Sequence, residues 1–268
     1  MLKLFHGITS VCSIKVRIGL AEIGLDYESI VMDLQSGDQH DADYLRLNPD
    51  GVVPTLVDGD IVVVESSLIL EYLDRVYNQS RLMPKRSALE VAARHWLLRC
   101  IAIHDAINTL TFCTTLRDQI VESKTPAEIG AMLAPMPNPM ARKKRNELLE
   151  KGFESDYLYQ AILHLDRMIR DMQGALTNNA WISGVQLGIV DIALIPYVDR
   201  LQRLGFEGLW QESRSGIAPW LAAMQARDSY KREVVEKINP ELASRMRTGG
   251  GRYWPELQRR WLAVASST

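Results

Sequence analysis

The sequence predicts an α/β domain followed by an all-α domain. Strand and helix signals alternate in about the first 77 residues, strand signals then nearly vanish after a polar linker, and long helical patterns fill the rest. With 268 residues, the chain is long enough for two domains and a sizeable core. Its 47% hydrophobic and 24% charged residues are typical of a globular protein.

The first domain, residues 1–79, is predicted to run β, α, β, connector, β, β, α. LKLFH at 2–6 and YESIVM at 27–32 have the composition of strands, and they flank a helical pattern at 12–23. PTLV and IVVV flank an Asp-Gly pair, which is a hairpin signal. Ser66 then opens an amphipathic helix.

The second domain is predicted to be all-helical. NQSRLMPKRS forms a linker at about 78–87, the domain covers residues 87–248, and residues 249–268 form a separate C-terminal tail. Helices are expected from the start of this domain to about 121 and at about 140–174, 189–204 and 216–227.

Charge and cysteine content exclude several classes of function. The net charge of −2 gives no general affinity for polyanions, so nucleic acid is not expected as a partner. The start MLKLFHG lacks a secretory signal and no apolar run suggests a membrane span, so we expect a cytoplasmic protein. Cys12, Cys100 and Cys113 are odd in number and widely spaced, which predicts reduced thiols and no metal site.

The stretch ITSVCSIKVRIGL places Ser10, Cys12 and Ser13 at the start of the first helix. A helix N-terminus has unsatisfied N–H groups and a partial positive charge, so hydroxyls or thiols there can hold or become anions. The alternative is that the serines only cap the helix.

Two further segments are candidates for a ligand site. Val53-Pro54 precedes a strand, and a cis bond there would expose the N–H and C=O of Val53 to an extended peptide. Glu65 and Ser66 open another helix, where a carboxylate and hydroxyls can bind a ligand's ammonium and carboxylate groups. Each segment taken alone also fits an ordinary turn or cap.

In combination and order, these three segments resemble the glutathione S-transferase family over nearly the whole chain. GIVDIALIP at 188–196 resembles the start of the family's buried helix, although Gly188 replaces the usual Ser or Thr cap. The resemblance implies a thioredoxin-like glutathione-binding domain, a helical domain with the electrophile pocket, glutathione as cosubstrate, and a homodimer.

Site residues follow from the resemblance position by position. The backbone of Val53, beside a cis Pro54, matches the position that pairs with the cysteinyl part of glutathione. Glu65 and Ser66 match the residues that hold the γ-glutamyl end. Gln39 and His40 fall where the family contacts the glycyl end, and His40 is also consistent with an exposed loop residue.

The resemblance also implies serine chemistry. Ser10 lies six residues before Val16, the register of the catalytic serine in zeta-like and theta-like transferases, and SVCSIKVRI is similar to the zeta pattern. In some bacterial relatives the role falls three residues later, here Ser13, so both serines remain candidates. Cys12 is two residues out of the register of the cysteine-type enzymes and is expected to be dispensable.

The sequence around the predicted electrophile pocket resembles bacterial glutathione-dependent β-etherases, in MPNPMARKKRNELLEKGF and DQHDADYLRLNPDGVVP. The alternatives are a zeta-like maleylacetoacetate isomerase and a non-catalytic glutathione-binding protein. Four residues on the first long helix are candidates to line the pocket, with packing in the helical core as the alternative: His104, Asp105, Asn108 and Phe112.

The C-terminal tail is predicted to cover this pocket. Gly249 to Gly251 would form a flexible hinge, and Tyr253, Trp254 and Trp261 supply flat apolar surface for an aromatic substrate. The alternative is that these rings pack on the helical domain.

Overall fold

A four-stranded mixed sheet forms the first part of the chain, in the spatial order β2-β1-β3-β4. Its strands are β1 (Leu2–His6), β2 (Tyr27–Val31), β3 (Thr55–Asp58) and β4 (Ile61–Val64). β1 and β2 are parallel, and the other two pairs are antiparallel. The computed structural model describes residues 1–211 and 216–266. The predicted α/β domain with its hairpin is therefore confirmed.

Three helices accompany this sheet: α1 (Val11–Ile23), α2 (Ala42–Leu47) and α3 (Ser66–Tyr77). Val16 and Leu20 of α1 and Ile69 of α3 pack with Leu4 and Leu56 of the sheet in one apolar core. α1 ends at Gly24, whose φ of 79° is the left-handed conformation that favours glycine at a helix C-terminus.

The described remainder is helical, as predicted. The helices are α4 (Ser87–Thr115), α5 (Arg117–Ser123), α6 (Pro126–Leu133), α7 (Pro139–Lys151), α8 (Asp156–Leu176), α9 (Ile189–Arg203), α10 (Gly208–Gln211), α11 (Ile217–Gln225), α12 (Asp228–Tyr230) and α13 (Pro240–Ala265). A short π-helical turn, Lys231–Val235, follows α12. The buried faces of α4, α8 and α9 contribute many residues to the large second core.

Two helix predictions need correction. The helix expected at 140–174 is two helices, because Gly152 between them adopts a φ of 53° and a side chain there would meet Arg117 at 2.8 Å. The helix expected to continue to about 121 is broken after Thr115. Helix α6 was not predicted. Its start has a capping box formed by Thr125 and Glu128, and this motif can be recognised in the sequence.

The linker after α3 forms hydrogen bonds with both domains. The buried carboxylate of Asp74 accepts hydrogen bonds from the amides of Leu82 and Met83, both at 3.0 Å. The carbonyl of Leu82 accepts from the amide of Ile189, also at 3.0 Å. The linker therefore connects α3 of the first domain to the start of α9.

The predicted glycine hinge is wrong. Gly249 to Gly251 lie inside α13, which begins at Pro240, so residues 249–266 are not a separate tail, and residues 267–268 lie outside the described residues. A Cβ atom would approach the carbonyl oxygen of Thr114 to 2.7 Å at Gly249, and that of Leu204 to 2.1 Å at Gly250. These glycines allow α13 to pack closely between α4 and the end of α9.

The aromatic residues of α13 pack on the helical domain. Trp261 is buried and donates its indole N–H to Asp166 at 2.9 Å. Tyr253 stacks on Phe153 with ring centroids 4.7 Å apart. These rings thus follow the packing alternative rather than the predicted pocket cover.

Every helix in the described ranges is too short or too polar to cross a bilayer.

Candidate functional site

The strand register brings the three candidate segments to one edge of the sheet. Phe5 near the end of β1 pairs with Thr55 at the start of β3, and Thr55 in turn pairs with Val64 at the end of β4. The segments that carry Ser10 and Glu65 therefore leave the sheet at the edge where the Val53-Pro54 turn enters it.

Ser10 and Ser13 lie at the start of α1 in different surroundings. Ser10 is the N-cap, is partly exposed, and its hydroxyl oxygen accepts from the amide of Ser13 at 3.3 Å. That contact leaves the hydroxyl hydrogen of Ser10 available for a ligand. Ser13 is 0% exposed, and its hydroxyl oxygen accepts from the amide of Gly7 at 3.2 Å.

Two arginines position the loop that carries Ser10. The buried guanidinium of Arg17 donates to the carbonyl oxygens of Gly7 at 3.1 Å and Ile8 at 3.0 Å, and it also reaches the carbonyl of Glu233 at 2.8 Å. Arg200 of α9 donates to the carbonyl of Thr9. Residues of both domains therefore hold this loop in place. Neither arginine was predicted from the sequence to do so.

The Val53-Pro54 peptide bond is cis, as the resemblance implied. The backbone N–H and C=O of Val53 form no hydrogen bond with any residue that the structure describes. The carbonyl of Val52, in contrast, accepts from Asn48 at 2.8 Å and from the hydroxyl of Tyr44. Asn48 and Tyr44 thus fix the turn through Val52, while the backbone groups of Val53 remain available to an extended peptide.

Glu65 precedes α3 with a φ of 69°, which is uncommon for a residue other than glycine. Its side chain is exposed and forms no capping bond, so the first N–H groups of α3 are left for another acceptor. Ser66 is buried directly behind it. Strain of this kind is concentrated at ligand sites, which supports a binding role for this helix start.

Gln39 and His40 lie in a short 3₁₀ turn across the same edge. The side-chain oxygen of Gln39 is buried and has no hydrogen-bond partner among the described residues. Burial lowers the pKa of His40. A Cβ atom at Gly51 would lie 3.1 Å from the His40 ring and 3.2 Å from Pro137, so the loop before α7 lies against this turn.

Cys12 lies beneath the site and interacts with groups of both domains. Burial disfavours its thiolate, but attraction to His104 and Lys15 and a hydrogen bond with Ser66 outweigh burial and lower the pKa of Cys12 to about 6. Burial likewise opposes the His104 cation, but attraction to Cys12 raises the pKa of His104. His104 therefore lies next to Cys12 at the start of α1.

The other three pocket candidates on α4 lie in different environments. Asp105 forms an ion pair with Lys144 of α7 at 2.6 Å, and Asn108 is exposed. Phe112 is buried under Arg145, whose guanidinium carbon lies 4.0 Å from the ring centroid. Arg145 lies in the segment that resembles the β-etherases, but it is not among the predicted pocket residues.

Together these groups suit a peptide with a charged end and an anion at its centre. Backbone groups of Val53 can pair with the peptide, the start of α3 and Glu65 can take a carboxylate and an ammonium, and Ser10 can donate to an anion. Within the described residues, no group of three or more His, Cys, Asp or Glu side chains is arranged to hold a metal ion.

Comparison with known proteins agrees with this arrangement. The family model "Glutathione S-transferase, N-terminal domain" matches residues 1–75. Glutathione S-transferase Z1 of Arabidopsis thaliana is 40% identical over 128 residues, which are 46% of this chain and 57% of that protein. A probable maleylacetoacetate isomerase of Vibrio cholerae is 29% identical over 79% of this chain and 86% of its own length.

The fold of the whole chain is also similar to that of a solved enzyme. The β-etherase LigF from Sphingobium sp. strain SYK-6 superposes with a TM-score of 0.77 and 23% identity, over 88% of this chain and 99% of that one. Residues 1–75 therefore match the N-terminal domain of glutathione S-transferases, and the described chain as a whole has the two-part fold of these enzymes.

Proposed function

We propose that this protein is a glutathione transferase in which Ser10 stabilises the glutathione thiolate for attack on an aromatic electrophile. The single observation that carries this proposal is the convergence of the Ser10 loop, the unpaired backbone of Val53 and the start of α3 at one edge of the sheet. The cysteinyl part of glutathione would pair with Val53, and its γ-glutamyl end would reach Glu65 and Ser66.

Ser10 is the better of the two serines for this role. An unperturbed thiol has a pKa near 8.5, so lowering it by about two units requires about 2.7 kcal/mol of selective stabilisation of the anion. A helix dipole gives about 0.3 to 1 kcal/mol, whereas a hydrogen bond to a charged group gives about 1.5 to 3 kcal/mol. The hydroxyl must therefore supply the larger share, and Ser13 is fully buried while Ser10 is not.

The best candidate reaction is cleavage of a β-aryl ether next to a ketone. The thiolate attacks the carbon that bears the ether oxygen, a C–S bond forms as the C–O bond breaks, and the electron pair leaves with a phenolate. The phenolate is a stable leaving group, so little acid catalysis is needed. The similarity to LigF in overall fold supports this choice.

Isomerisation of maleylacetoacetate is the second candidate. The identity of 40% to glutathione S-transferase Z1 over 128 residues and the similarity to the Vibrio cholerae protein support it. The two reactions differ in product, because isomerisation regenerates glutathione whereas ether cleavage consumes it.

Product analysis with both substrates tests the proposal. The purified protein and glutathione are incubated with a β-aryl ether ketone or with maleylacetone, and thioether and phenol are measured by mass spectrometry. We expect phenol release faster than isomerisation. Isomerised maleylacetone without phenol would favour the second candidate, and neither product in the presence of tight glutathione binding would favour a non-catalytic protein.

A further inference from the structure

We propose that Arg145 binds an anionic oxygen group, such as a carboxylate, on the far ring of the aromatic electrophile. The inference deepens the proposed function and rests on the electrophile lying along α4. Arg145 lies in the segment that resembles the β-etherases, but neither that resemblance nor the candidate pocket residues on α4 give it a role.

Arg145 is a half-buried cation without a counter-ion. Its side chain forms no hydrogen bond or ion pair with any residue in the described ranges, and its one recorded contact is the stack on Phe112 at 4.0 Å. Its neighbour Lys144 is paired with Asp105 at 2.6 Å, and Arg142 donates to the carbonyl of Ala134 at 3.3 Å. Burial lowers the pKa of Arg145, which shows that its charge is desolvated without full compensation.

The charged groups around Arg145 leave an excess of positive charge. The carboxylate of Asp105 is used by Lys144, and that of Asp118 is shared with Arg117 and the hydroxyl of Tyr253. An anionic ligand group would therefore meet no free carboxylate among the described neighbours of Arg145.

Stacking on Phe112 leaves the hydrogen-bonding edges of the guanidinium free. The plane of the group carries five N–H donors, and their geometry matches a carboxylate that binds with both oxygens. A ring beneath the plane fixes its orientation without using these donors. The stack thus holds Arg145 in a conformation suited to an anion.

The position of Arg145 relative to the thiolate site sets the length of the substrate. His104, Asn108 and Phe112 recur at four-residue spacing on one side of α4, and His104 interacts with Cys12 at the start of α1. Eight residues of helix rise by about 12 Å. An electrophile with its reactive carbon near Ser10 must therefore carry an anionic group for Arg145 on the far side of an aromatic ring, as the phenol ring of a β-aryl ether can at its para position.

A matched pair of substrates tests the proposal. One is a β-aryl ether ketone with a carboxylate para to the ether oxygen on the phenol ring, and the other is its methyl ester. In Arg145→Gln we expect the KM for the carboxylate to rise by about tenfold or more, with little change for the ester or in glutathione affinity. Arg145→Lys, which keeps the charge, should recover part of the loss, and the control Arg142→Gln should behave like wild type.

Two additional measurements keep the test independent of ether cleavage. If neither ether releases a phenol, the etherase proposal fails, and the same variants are compared on 4′-chloro-3′-nitrobiphenyl-4-carboxylate and its methyl ester, whose nitro group activates the chloride for displacement by the glutathione thiolate. Calorimetry of the phenol product that carries the carboxylate, and of its methyl ester, at saturating glutathione gives binding without turnover. The proposal would be overturned if Arg145→Gln changed KM and affinity equally for the acid and the ester, or changed them for neither.

A loss of melting temperature in Arg145→Gln with unchanged discrimination between acid and ester in the folded fraction would show that the stack on Phe112 is structural, and would also overturn it.

Discussion

Ser183 supplies the helix cap that Gly188 lacks. Its hydroxyl oxygen accepts from the amide of Val190 in the first turn of α9 at 3.3 Å, while the carboxylate of Asp191 accepts from the amide of Gly188 at 3.0 Å. A Cβ atom at Gly188 would lie 2.5 Å from the Ser183 side chain. The missing cap residue noted in the sequence is thus replaced by a serine outside the helix.

We predict that Ser183→Ala lowers the free energy of unfolding by about 1 kcal/mol, because the Val190 amide loses its acceptor. Gly188→Ser alone should also destabilise, because its side chain meets Ser183. The double change Ser183→Gly with Gly188→Ser should recover only part of the loss, since the cap then comes from the usual position but the added Cβ atom still lies 2.9 Å from the carbonyl oxygen of Leu82. Denaturant unfolding measures all three, with the exposed Ser87→Ala as control. If the losses of unfolding free energy from the two single changes simply added in the double variant, a serine at position 188 would not replace Ser183 as the cap.

The pKa of the thiol of bound glutathione should depend on Ser10. We predict that Ser10→Ala raises its pKa by about one to two units, because the thiolate loses a hydrogen-bond donor. Ser13→Ala should leave the thiol pKa unchanged, because Ser13 is enclosed by the protein. Ultraviolet titration of the complex measures the thiolate. The serine mechanism is wrong if both serine variants titrate like wild type while Cys12→Ala abolishes turnover.

Glutathione affinity should depend on the start of α3. We predict that Glu65→Ala and Ser66→Ala each weaken binding about tenfold or more, because each removes a partner of the γ-glutamyl end. Glu71→Gln, on the same helix but paired with Arg94, serves as the control. Calorimetry with glutathione decides, and unchanged affinity in the first two variants would refute the assigned site.

The Cys12 thiol should titrate near pH 6 in the folded protein. Its folded pKa lies below the ordinary value of 9.0, so the stability it contributes is complete above pH 9 and is lost as the pH falls through 6. His104→Asn should raise the Cys12 pKa, because the attraction of the imidazolium is removed. The difference in thiolate absorbance between wild type and Cys12→Ala follows this titration, and a midpoint unaffected by His104→Asn would disprove the pairing.

The C-terminal part of α13 should be needed for stability. We predict that Trp261→Ala lowers the free energy of unfolding by about 3 to 5 kcal/mol, because a buried aromatic ring is removed, together with its hydrogen bond to Asp166. The exposed Leu262→Ala should have little effect. Thermal and denaturant unfolding test this, and a change in KM for the electrophile without loss of stability would instead support a cover over the pocket.

The sequence by itself determined the features that depend on neighbouring residues. The Asp-Gly turn, Ser10 as a helix cap and Gly24 as a helix end follow from local backbone geometry, and the order of strands and helices follows from local periodicity. The three site segments and their order along the chain can also be recognised in the sequence, because each is a short motif. These features need no knowledge of what packs against them.

The tertiary structure decided which groups are open and which are enclosed. Ser10 and Ser13 are alike in the sequence, and only the packing around α1 leaves one of them accessible. The three glycines of α13 suggest a hinge, but the carbonyls of Thr114 and Leu204 show that no side chain fits at Gly249 and Gly250. Arg145 meets Phe112 only because α7 packs against α4. Burial and partnership are properties of residues distant in sequence, because desolvation depends on everything that surrounds a group in space.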